Sequence, residues 1–218
     1  MNFEKIYEYR FKDVKDISKI STWEILSSFL HKKLSCPEKI IDPAAGMCEF
    51  INAVPSKEKW AVDLDESFLN KHASNNVKKQ IGNALDISLP DNYFDAVFIS
   101  NFLEHLDTQD DVAVFLSRMH KTLKDDGKIA IMGPNFKYCY KNYFDFADHK
   151  VILTEMGLAE HLYGAGFEKI KIIPRFLPLT FRSKLPPLKA FVKLYLLFPI
   201  AWKFFGKQFL LIAEKNNN

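Results

Sequence analysis

Two short stretches of the sequence carry side chains that could hold a cofactor. The segment "DPAAGMCEF", residues 42–50, follows the apolar pair Ile40 and Ile41, as expected for a turn between a buried strand and a helix. Roughly 20 residues later, Asp63 ends a second apolar run, a position from which a carboxylate can accept both hydroxyls of a ribose. Turn and acid together predict a cofactor that contains a nucleoside.

The composition of the turn separates two classes of such cofactors. A dinucleotide requires the pattern G-x-G-x-x-G, because its pyrophosphate must approach backbone N–H groups at the start of a helix. Ala44 and Cys48 stand where glycines would be wanted. S-adenosylmethionine has no phosphate, and the small residues of "AAG" leave room for its amino-acid tail and sulfur. The turn therefore favours S-adenosylmethionine over a dinucleotide.

The elements that would position these residues form an alternating pattern. Between residues 38 and 135, apolar runs of strand length alternate with helix-like stretches, which is typical of a parallel sheet covered by helices on both faces. One helix is predicted to open at the caps Asp110 and Asp111, and another to follow Thr154 and end at Gly166. The predicted strands are "EKIID", "KWAVDL", "KKQIGN", "FDAVFIS", "GKIAIMG", "FEKIKIIPRF" and "KQFLLIAEK".

Length and composition predict a single domain over residues 1–218. The chain is 48% apolar, enough to bury one full core. Residues 38–175 are expected to form the cofactor-binding core, and residues 207–215 its last strand. A helix within residues 1–35 and the aromatic, basic segment 177–206 are expected to cap the substrate side.

The charged and sulfur-containing residues narrow the classes of function. Three cysteines without paired spacing predict neither a disulfide framework nor a zinc site, so no metal is expected. A formal net charge of +3 is too small to indicate nucleic acid. The first residues, "MNFEKIYEYRFKD", lack the apolar core of a signal peptide. We therefore expect a cytoplasmic protein.

Four stretches, in order, resemble the class I S-adenosylmethionine-dependent methyltransferases of the methyltransferase type 11 kind, over about residues 38–175. They are "IIDPAAGMCEF", "AVDLDESFL", "GNALDISLPDNYFDAVFISNFLEHL" and "LKDDGKIAIMGPNF". The third is the most specific, with Asn83 in place of the family's acid. The resemblance implies an α/β, Rossmann-like sheet of seven mostly parallel strands, in the order 3-2-1-4-5-7-6 with the last strand antiparallel.

The resemblance also implies contacts to the methionine moiety, the ribose, the adenine and the face of methyl transfer. The residues are, in that order, Asp42, Ala44 and Gly46; Asp63; Leu64, Asn83 and Ala84; and Ser100, Asn101 and Phe102. Asp95 is expected to be structural, and Cys48 a small buried filler. The fourth strand ends in "ISNFLEHL" rather than the Pro-Pro motif that grips a flipped base, so base methylation is disfavoured.

Methyl transfer to oxygen or nitrogen requires removal of a proton, for which histidine is the usual base. His149, in the loop before the helix at Thr154, is the favoured candidate, with Asp145 orienting or replacing it. His105, in "LEHL", is the second candidate. The alternative interpretation of both histidines is a structural contact.

Aromatic and arginine side chains would surround the acceptor if both caps fold over the carboxyl edge of the sheet. They are Tyr9, Arg10, Phe11, Tyr140, Tyr143, Phe144, Arg175 and Arg182. Such residues suit a sugar or an anionic ring, but they are equally typical of core and surface positions.

The segment "LPPLKAFVKLYLLFPIAWKFFGKQ" has two interpretations. Its longest uncharged run, Leu194–Trp202, is interrupted by Pro199 and is too short to span a bilayer. It fits either a helical cap over the site or a contact, through residues 186–205, with a membrane surface or a lipid-linked substrate. Its flanking "FLP" and "FGKQ" resemble methyltransferases of cell-surface polysaccharide gene clusters.

We therefore expect O-methylation of a sugar, a glycan or another small hydroxylated acceptor. Methylation of a lipid-like ring, such as a quinone precursor, is the alternative activity. A third alternative is a non-catalytic partner subunit of the same fold that binds the cofactor weakly, suggested by Ala44, Cys48 and Asn83. The sequence leaves the oligomeric state open.

Overall fold

The computed structural model describes residues 16–179 and 189–216, with the backbone alone for residues 16–19. It also describes three residues near the N-terminus: Lys5, Ile6 and Tyr9. Predictions for three acceptor residues lie outside the described residues: Arg10, Phe11 and Arg182.

Seven strands form one sheet with the order β3-β2-β1-β4-β5-β7-β6. The strands are β1 (Lys39–Asp42), β2 (Glu58–Asp63), β3 (Val77–Ile81), β4 (Phe94–Ser100), β5 (Leu123–Pro134), β6 (Phe167–Ile173) and β7 (Gln208–Lys215). β7 pairs antiparallel with β5 and β6, whereas the pairs among β1 to β5 are parallel. The strand order and the antiparallel last strand confirm the predicted fold.

Seven α-helices and two 3-10 turns connect the described strands, and one further helix of the described residues precedes β1. The helices are α1 (Asp16–Lys33), α2 (Glu49–Ala53), α3 (Glu66–His72), α4 (Gln109–Thr122), α5 (Phe136–Cys139), α6 (Glu155–Gly164), α7 (Lys189–Leu197) and α8 (Pro199–Phe205). The 3-10 turns are Leu103–His105 and Tyr140–Asp145. No helix among the described residues combines the length and apolar character needed to cross a bilayer.

Two buried layers lie on opposite faces of the sheet. Successive strand residues point to opposite faces, so Ile40 belongs to the layer covered by α1, α2, α7 and α8. Ile41 belongs to the layer covered by α4 and α6. The predicted N-terminal helix is present as α1. It places Trp23 and Leu26 in the first layer but leaves Ile20 59% exposed.

The start of α4 differs from the sequence-based expectation. Thr108, rather than Asp110 or Asp111, is the N-cap, and its hydroxyl accepts the Asp111 N–H. The Asp111 carboxylate in turn accepts the Thr108 N–H at 2.9 Å. This reciprocal pair satisfies two N–H groups that the first helical turn leaves unbonded. Asp111 therefore stabilises the helix from its third position, and Asp110 lies in the first turn.

Asp95 joins three elements at the amino edge of the sheet, which confirms its predicted structural role. Its carboxylate accepts the backbone N–H groups of Glu38 and Lys39 at 3.1 and 2.8 Å, and it pairs with Lys124. Partial burial raises the pKa of Asp95, but Lys124 and the two N–H donors outweigh burial and hold the pKa below its ordinary value. Asp95 thus fixes the start of β1 against β4 and β5.

We predict that Asp95→Ala lowers the free energy of unfolding by ~2 kcal/mol, because it removes a charged acceptor shared by three donors. Urea denaturation measures this change. Asp91→Ala, at an exposed position in the turn before β4, serves as the matched control and should stay within ~0.5 kcal/mol of the parent. Equal stability of the two variants would contradict the assigned role.

Candidate functional site

The turn after β1 is shaped by two residues in the left-handed region. Gly46 has φ 49° and Cys48 has φ 58°, so the chain bends sharply before α2 begins at Glu49. The Gly46 N–H donates to the Asp63 carboxylate at 3.1 Å, and the Ala45 N–H donates to the Val62 carbonyl at 2.9 Å. The turn is therefore tied to the end of β2, as the paired motifs predict.

Cys48 takes a conformation that glycine adopts most readily, yet it is fully buried. Burial raises the pKa of its thiol to about 12, so the thiol stays protonated near neutral pH. Its Sγ lies 3.5 Å from the Gly46 carbonyl oxygen. These observations confirm the expected buried filler.

Two carboxyl groups lie beneath this turn. Asp42 is buried and accepts the Ala44 N–H at 3.3 Å. Burial raises its pKa to about 7, with a further rise from the nearby Asp63. Burial also raises the pKa of Asp63, although Asp63 accepts N–H groups from Asp65 and Gly46. Both acids would be stabilised in their ionised form by a bound cation.

The space beside the turn is open. A Cβ atom built on Gly46 would meet no atom within 4 Å, apart from its chain neighbours. Leu64, directly after Asp63, is 66% exposed and offers a free apolar face. A cofactor bound to the Asp63 carboxylate could thus cover Leu64 without moving the backbone of the turn.

The loop after β3 closes this side of the site. The Gly82 N–H donates to the Asp63 carbonyl at 3.0 Å, which places Asn83 and Ala84 beside the end of β2. The Asn83 side-chain oxygen accepts the Leu85 N–H at 2.9 Å, and Ala84 is buried. One lone pair of the Asn83 oxygen is thus used within its own turn, and the second can accept another donor.

Ser100, Asn101 and Phe102 end β4 at the same edge of the sheet. Asn101 is exposed, has φ 50° and donates its amide to the Ser100 hydroxyl at 2.9 Å. Its backbone N–H bonds to the Met132 carbonyl on β5. Phe102 is half-buried against Phe115, with ring centroids 5.1 Å apart. Ser100 and Asn101 therefore present polar groups between the ends of β1 and β5.

Glu104, His105 and His149 come together next to these residues. Their ligand atoms lie within 4.8 Å of one another, and the two imidazole centroids are 5.2 Å apart. Glu104 is buried, and its carbonyl accepts the N–H groups of Lys150 and Val151, which holds the His149 loop against β4. Two imidazoles and a carboxylate could share a proton or bind a divalent cation.

Hydrogen bonding fixes the tautomer of His105. Its Nδ1 lies 3.0 Å from the Asp148 carbonyl oxygen, which can only accept, so Nδ1 carries the hydrogen. In the neutral ring, Nε2 is then the basic nitrogen. His149 stacks on Phe146 at 4.8 Å and meets the edge of Tyr143 at 4.6 Å. Both rings are thus held by specific contacts.

The acid beside the histidines is Asp148, whereas the sequence points to Asp145. Asp145 is exposed at the end of a 3-10 turn, where it accepts the Asn142 amide at 3.0 Å. The Asp148 carboxylate is buried and lies 3.6 Å from His105 Nδ1. Sequence reasoning missed Glu104 and Asp148, although each is adjacent in sequence to one of the two histidines.

The structure divides the described acceptor candidates into two groups. Tyr140 and Phe144 are 57% and 60% exposed on the loop that leads to His149, and Tyr9 is 74% exposed near the N-terminus. In contrast, Tyr143 is fully buried and donates its hydroxyl to the Val151 carbonyl. Arg175 donates to the Gly206 and Phe204 carbonyls and lies over the Tyr138 ring. Tyr143 and Arg175 therefore bond to backbone carbonyls and stabilise loops.

Comparison with known proteins agrees with the fold. Residues 41–131 match the model of a family described as a methyltransferase domain. A search of curated proteins finds no match to the sequence.

Solved structures share the fold over most of the chain. An S-adenosylmethionine-dependent methyltransferase from Archaeoglobus fulgidus is 21% identical, with a TM-score of 0.69 over 98% of this chain and 100% of its own. A protein from Thermotoga maritima, titled a "possible histamine N-methyltransferase", is 17% identical, with a TM-score of 0.67 over 98% of this chain and 96% of its own.

A third structure contains the cofactor. Human N-acetylserotonin methyltransferase in complex with S-adenosylmethionine is 15% identical, with a TM-score of 0.60 over 88% of this chain and 52% of its own. At these identities the likeness shows a shared fold.

The pKa of Asp42 makes stability depend on pH. Because its folded-state pKa, about 7, exceeds that of an unfolded Asp, about 3.9, the folded protein keeps a proton that the unfolded chain has lost at intermediate pH. Stability from this group is therefore present at low pH and lost as pH rises to about 7.

We predict that the free energy of unfolding of the parent falls by ~1–3 kcal/mol between about pH 5 and pH 8 because Asp42 ionises. Asp42→Asn should not show this fall, because asparagine cannot ionise but still accepts the Ala44 N–H. Urea denaturation of the protein without cofactor at both pH values checks this. Asp86→Asn, at an exposed position, should follow the parent. If Asp42→Asn and the parent lose equal stability, burial of the Asp42 charge is not the cause.

Proposed function

We propose that this chain is a methyltransferase that uses S-adenosylmethionine, as the methyltransferase-domain match over residues 41–131 supports, and that it transfers the methyl group to an oxygen of a sugar or another small hydroxylated acceptor. The observation that carries the proposal is the pair His105 and His149, held beside the end of β4 with exposed aromatic rings on the same loop. Methylation of a lipid-like ring, such as a quinone precursor, is the second candidate.

The residues at the turn fit this cofactor. S-adenosylmethionine carries a sulfonium and an ammonium group, and the buried Asp42 and half-buried Asp63 carboxyl groups, both with raised pKa values, favour a cationic ligand. Asp63 would hold the ribose, Leu64 would pack on the adenine, and Gly46 would leave room for the methionine moiety. When bound, the cofactor supplies a methyl group on a sulfonium, which leaves as a neutral thioether.

The histidine cluster supplies a route for the proton of a hydroxyl acceptor. Histidine is the side chain whose ordinary pKa lies nearest neutrality, so it can accept a proton and later release it. His149 is the proposed base, and His105 lies beside it with its own ring oriented by the Asp148 carbonyl. Glu104 and Asp148 are close enough to stabilise a positive imidazolium.

The exposed rings of Tyr140 and Phe144 support an acceptor with apolar faces and polar edges, as a sugar ring has. The resemblance of "FLP" and "FGKQ" to methyltransferases of cell-surface polysaccharide gene clusters favours the same class. The names of two proteins with this fold include histamine and N-acetylserotonin, which are different molecules and neither of which is a sugar. The fold is therefore compatible with several acceptors, and the loop residues must select among them.

The alternative of a non-catalytic partner subunit depends on three residues that depart from the family's cofactor-binding pattern: Ala44, Cys48 and Asn83. The turn keeps its positive φ at Cys48 without glycine, and the Asn83 oxygen retains a free lone pair. These features support a working cofactor site. Failure of the protein to bind S-adenosylmethionine at millimolar concentration would favour the alternative.

We predict that Asp63→Asn weakens S-adenosylmethionine binding at least ~10-fold, because an amide forms weaker bonds to ribose hydroxyls than a carboxylate. Isothermal titration calorimetry measures the Kd. Asp65→Asn is the matched control, since Asp65 caps α3 and asparagine caps helices equally well. Equal loss of affinity in both variants would indicate a general disturbance of the loop rather than a ribose contact.

We also predict that His149→Ala lowers methyl transfer ~10²-fold and leaves the cofactor Kd within a few-fold, because it removes the base and leaves the turn intact. Turnover is measured with a labelled methyl donor on a panel of sugar, glycan and quinone-precursor acceptors. His161→Ala, whose ring bonds to Gln109 on the surface at 2.7 Å, is the matched control.

The hypothesis that His149 is a base and the hypothesis that the cluster binds a metal predict different results. If His149 acts as a base, the parent shows a fall in rate at acid pH that His149→Ala lacks, and chelation with EDTA changes nothing. Unchanged turnover of His149→Ala would remove this residue from the mechanism. A requirement for a divalent cation would assign the cluster of Glu104, His105 and His149 to metal binding instead.

A further inference from the structure

Helices α7 and α8 present an unusual number of large apolar side chains to solvent. Seven such residues within the fifteen positions 191–205 are 50% to 74% exposed. They are Phe191, Leu194, Leu197, Phe198, Ile200, Phe204 and Phe205. We call this set the α7–α8 surface. Apolar groups concentrated on this scale mark sites of interaction in water-soluble proteins.

The two helices are held firmly to the sheet by their inner side. Leu196 and Trp202 are buried, and the Trp202 indole N–H donates to the Tyr195 carbonyl at 2.8 Å, which joins α7 to α8. The Tyr195 hydroxyl donates to the Phe176 carbonyl at 2.6 Å. Phe176 also packs edge-on against Trp202 at 5.1 Å. The exposed side chains therefore belong to two helices that are fixed to the rest of the protein by packing and hydrogen bonds.

The surface is basic as well as apolar. Lys193 and Lys203 are exposed among the apolar residues, and Lys189 lies at one end, paired with Glu24 at 2.8 Å. The sequence contains no acidic residue between Glu168 and Glu214. Exposed aromatics among lysines are the composition with which interfacial helices bind anionic lipid.

A second copy of the chain is a poorer partner for this surface. In a twofold dimer the same patch meets itself, so Lys193 and Lys203 would approach other lysines with no acidic residue of the segment to neutralise them. An anionic bilayer offers both a negative surface and an apolar layer below it. Charge complementarity thus favours lipid.

We propose that the α7–α8 surface docks the protein onto an anionic phospholipid bilayer. The helices have nine and seven residues, so they lie in the interface and do not span it. The aromatic and leucine side chains enter the acyl boundary, and the lysines contact phosphate groups.

The position of this surface relates it to the candidate site. The pair α7–α8 connects the carboxyl end of β6 with the start of β7, at the edge where β4 and β5 end. The Asn135 amide, just after β5, bonds to the Pro174 carbonyl after β6 at 2.9 Å. Docking would therefore bring the membrane against a segment that starts and ends at the sheet edge that carries the site. Any effect of docking on access of an acceptor to the site rests on the proposed function, whereas bilayer binding itself does not.

Co-sedimentation of the full-length protein tests the proposal, without cofactor or acceptor. The parent should pellet with vesicles of equal parts phosphatidylglycerol and phosphatidylcholine, and much less with phosphatidylcholine alone or in high salt. The double variant Phe191→Ser/Phe204→Ser should partition at least ~10-fold more weakly, because two phenyl groups no longer enter the acyl boundary. Lys193→Glu/Lys203→Glu should lose the preference for anionic vesicles.

Tyr163→Ser is the matched control, since Tyr163 is 74% exposed on α6, on the opposite face of the sheet. It should pellet like the parent. Thermal unfolding of each variant shows that loss of binding is not loss of folding. The proposal is overturned if the parent stays in the supernatant, or if Phe191→Ser/Phe204→Ser pellets as the parent does. It is also overturned by a third result: the parent does not bind vesicles but self-associates in analytical ultracentrifugation, and the phenylalanine substitutions abolish that self-association.

Discussion

Parallel pairing of β1, β2, β4 and β5 is the constraint on which the candidate site depends. Each strand delivers its carboxyl end to one edge of the sheet, so Asp42, Asp63, Ser100 and the segment after Pro134 meet there although the chain between them is long. The Gly46 N–H bond to Asp63 joins the first two loops, and the Glu104 carbonyl joins the last two. Residues distant in sequence thereby form one site.

Charge is divided across this edge in a way that suits the proposed reaction. The carboxyl groups of Asp42 and Asp63 lie at the ends of β1 and β2, where burial raises their pKa values and favours a cationic ligand. The imidazoles of His105 and His149 lie by β4 and β5, where a proton from the acceptor would have to go. One half of the edge would thus bind the positive donor, and the other would receive the proton.

The antiparallel strand β7 adds a second consequence. To reach it, the chain must leave the carboxyl end of β6 and return at the same edge, and α7 and α8 form that connection. Their inner side chains belong to the core around Phe176 and Trp202, whereas the outer ones are apolar and basic. The topology therefore attaches the exposed α7–α8 surface to the same edge of the sheet as the candidate site.

The sequence by itself indicated the class of cofactor, through a turn of small residues paired with Asp63, and its motifs carried the family resemblance that implies the strand order. These features are local, since each depends on residue types at short spacing. Only the tertiary structure decided which side chains face the site. It buried Tyr143, committed Arg175 to backbone carbonyls, turned Asp145 outward and brought Glu104 and Asp148 to the histidines. The physical reason is that side-chain direction in 3-10 turns and loops is set by contacts across the chain, which no periodicity in the sequence records.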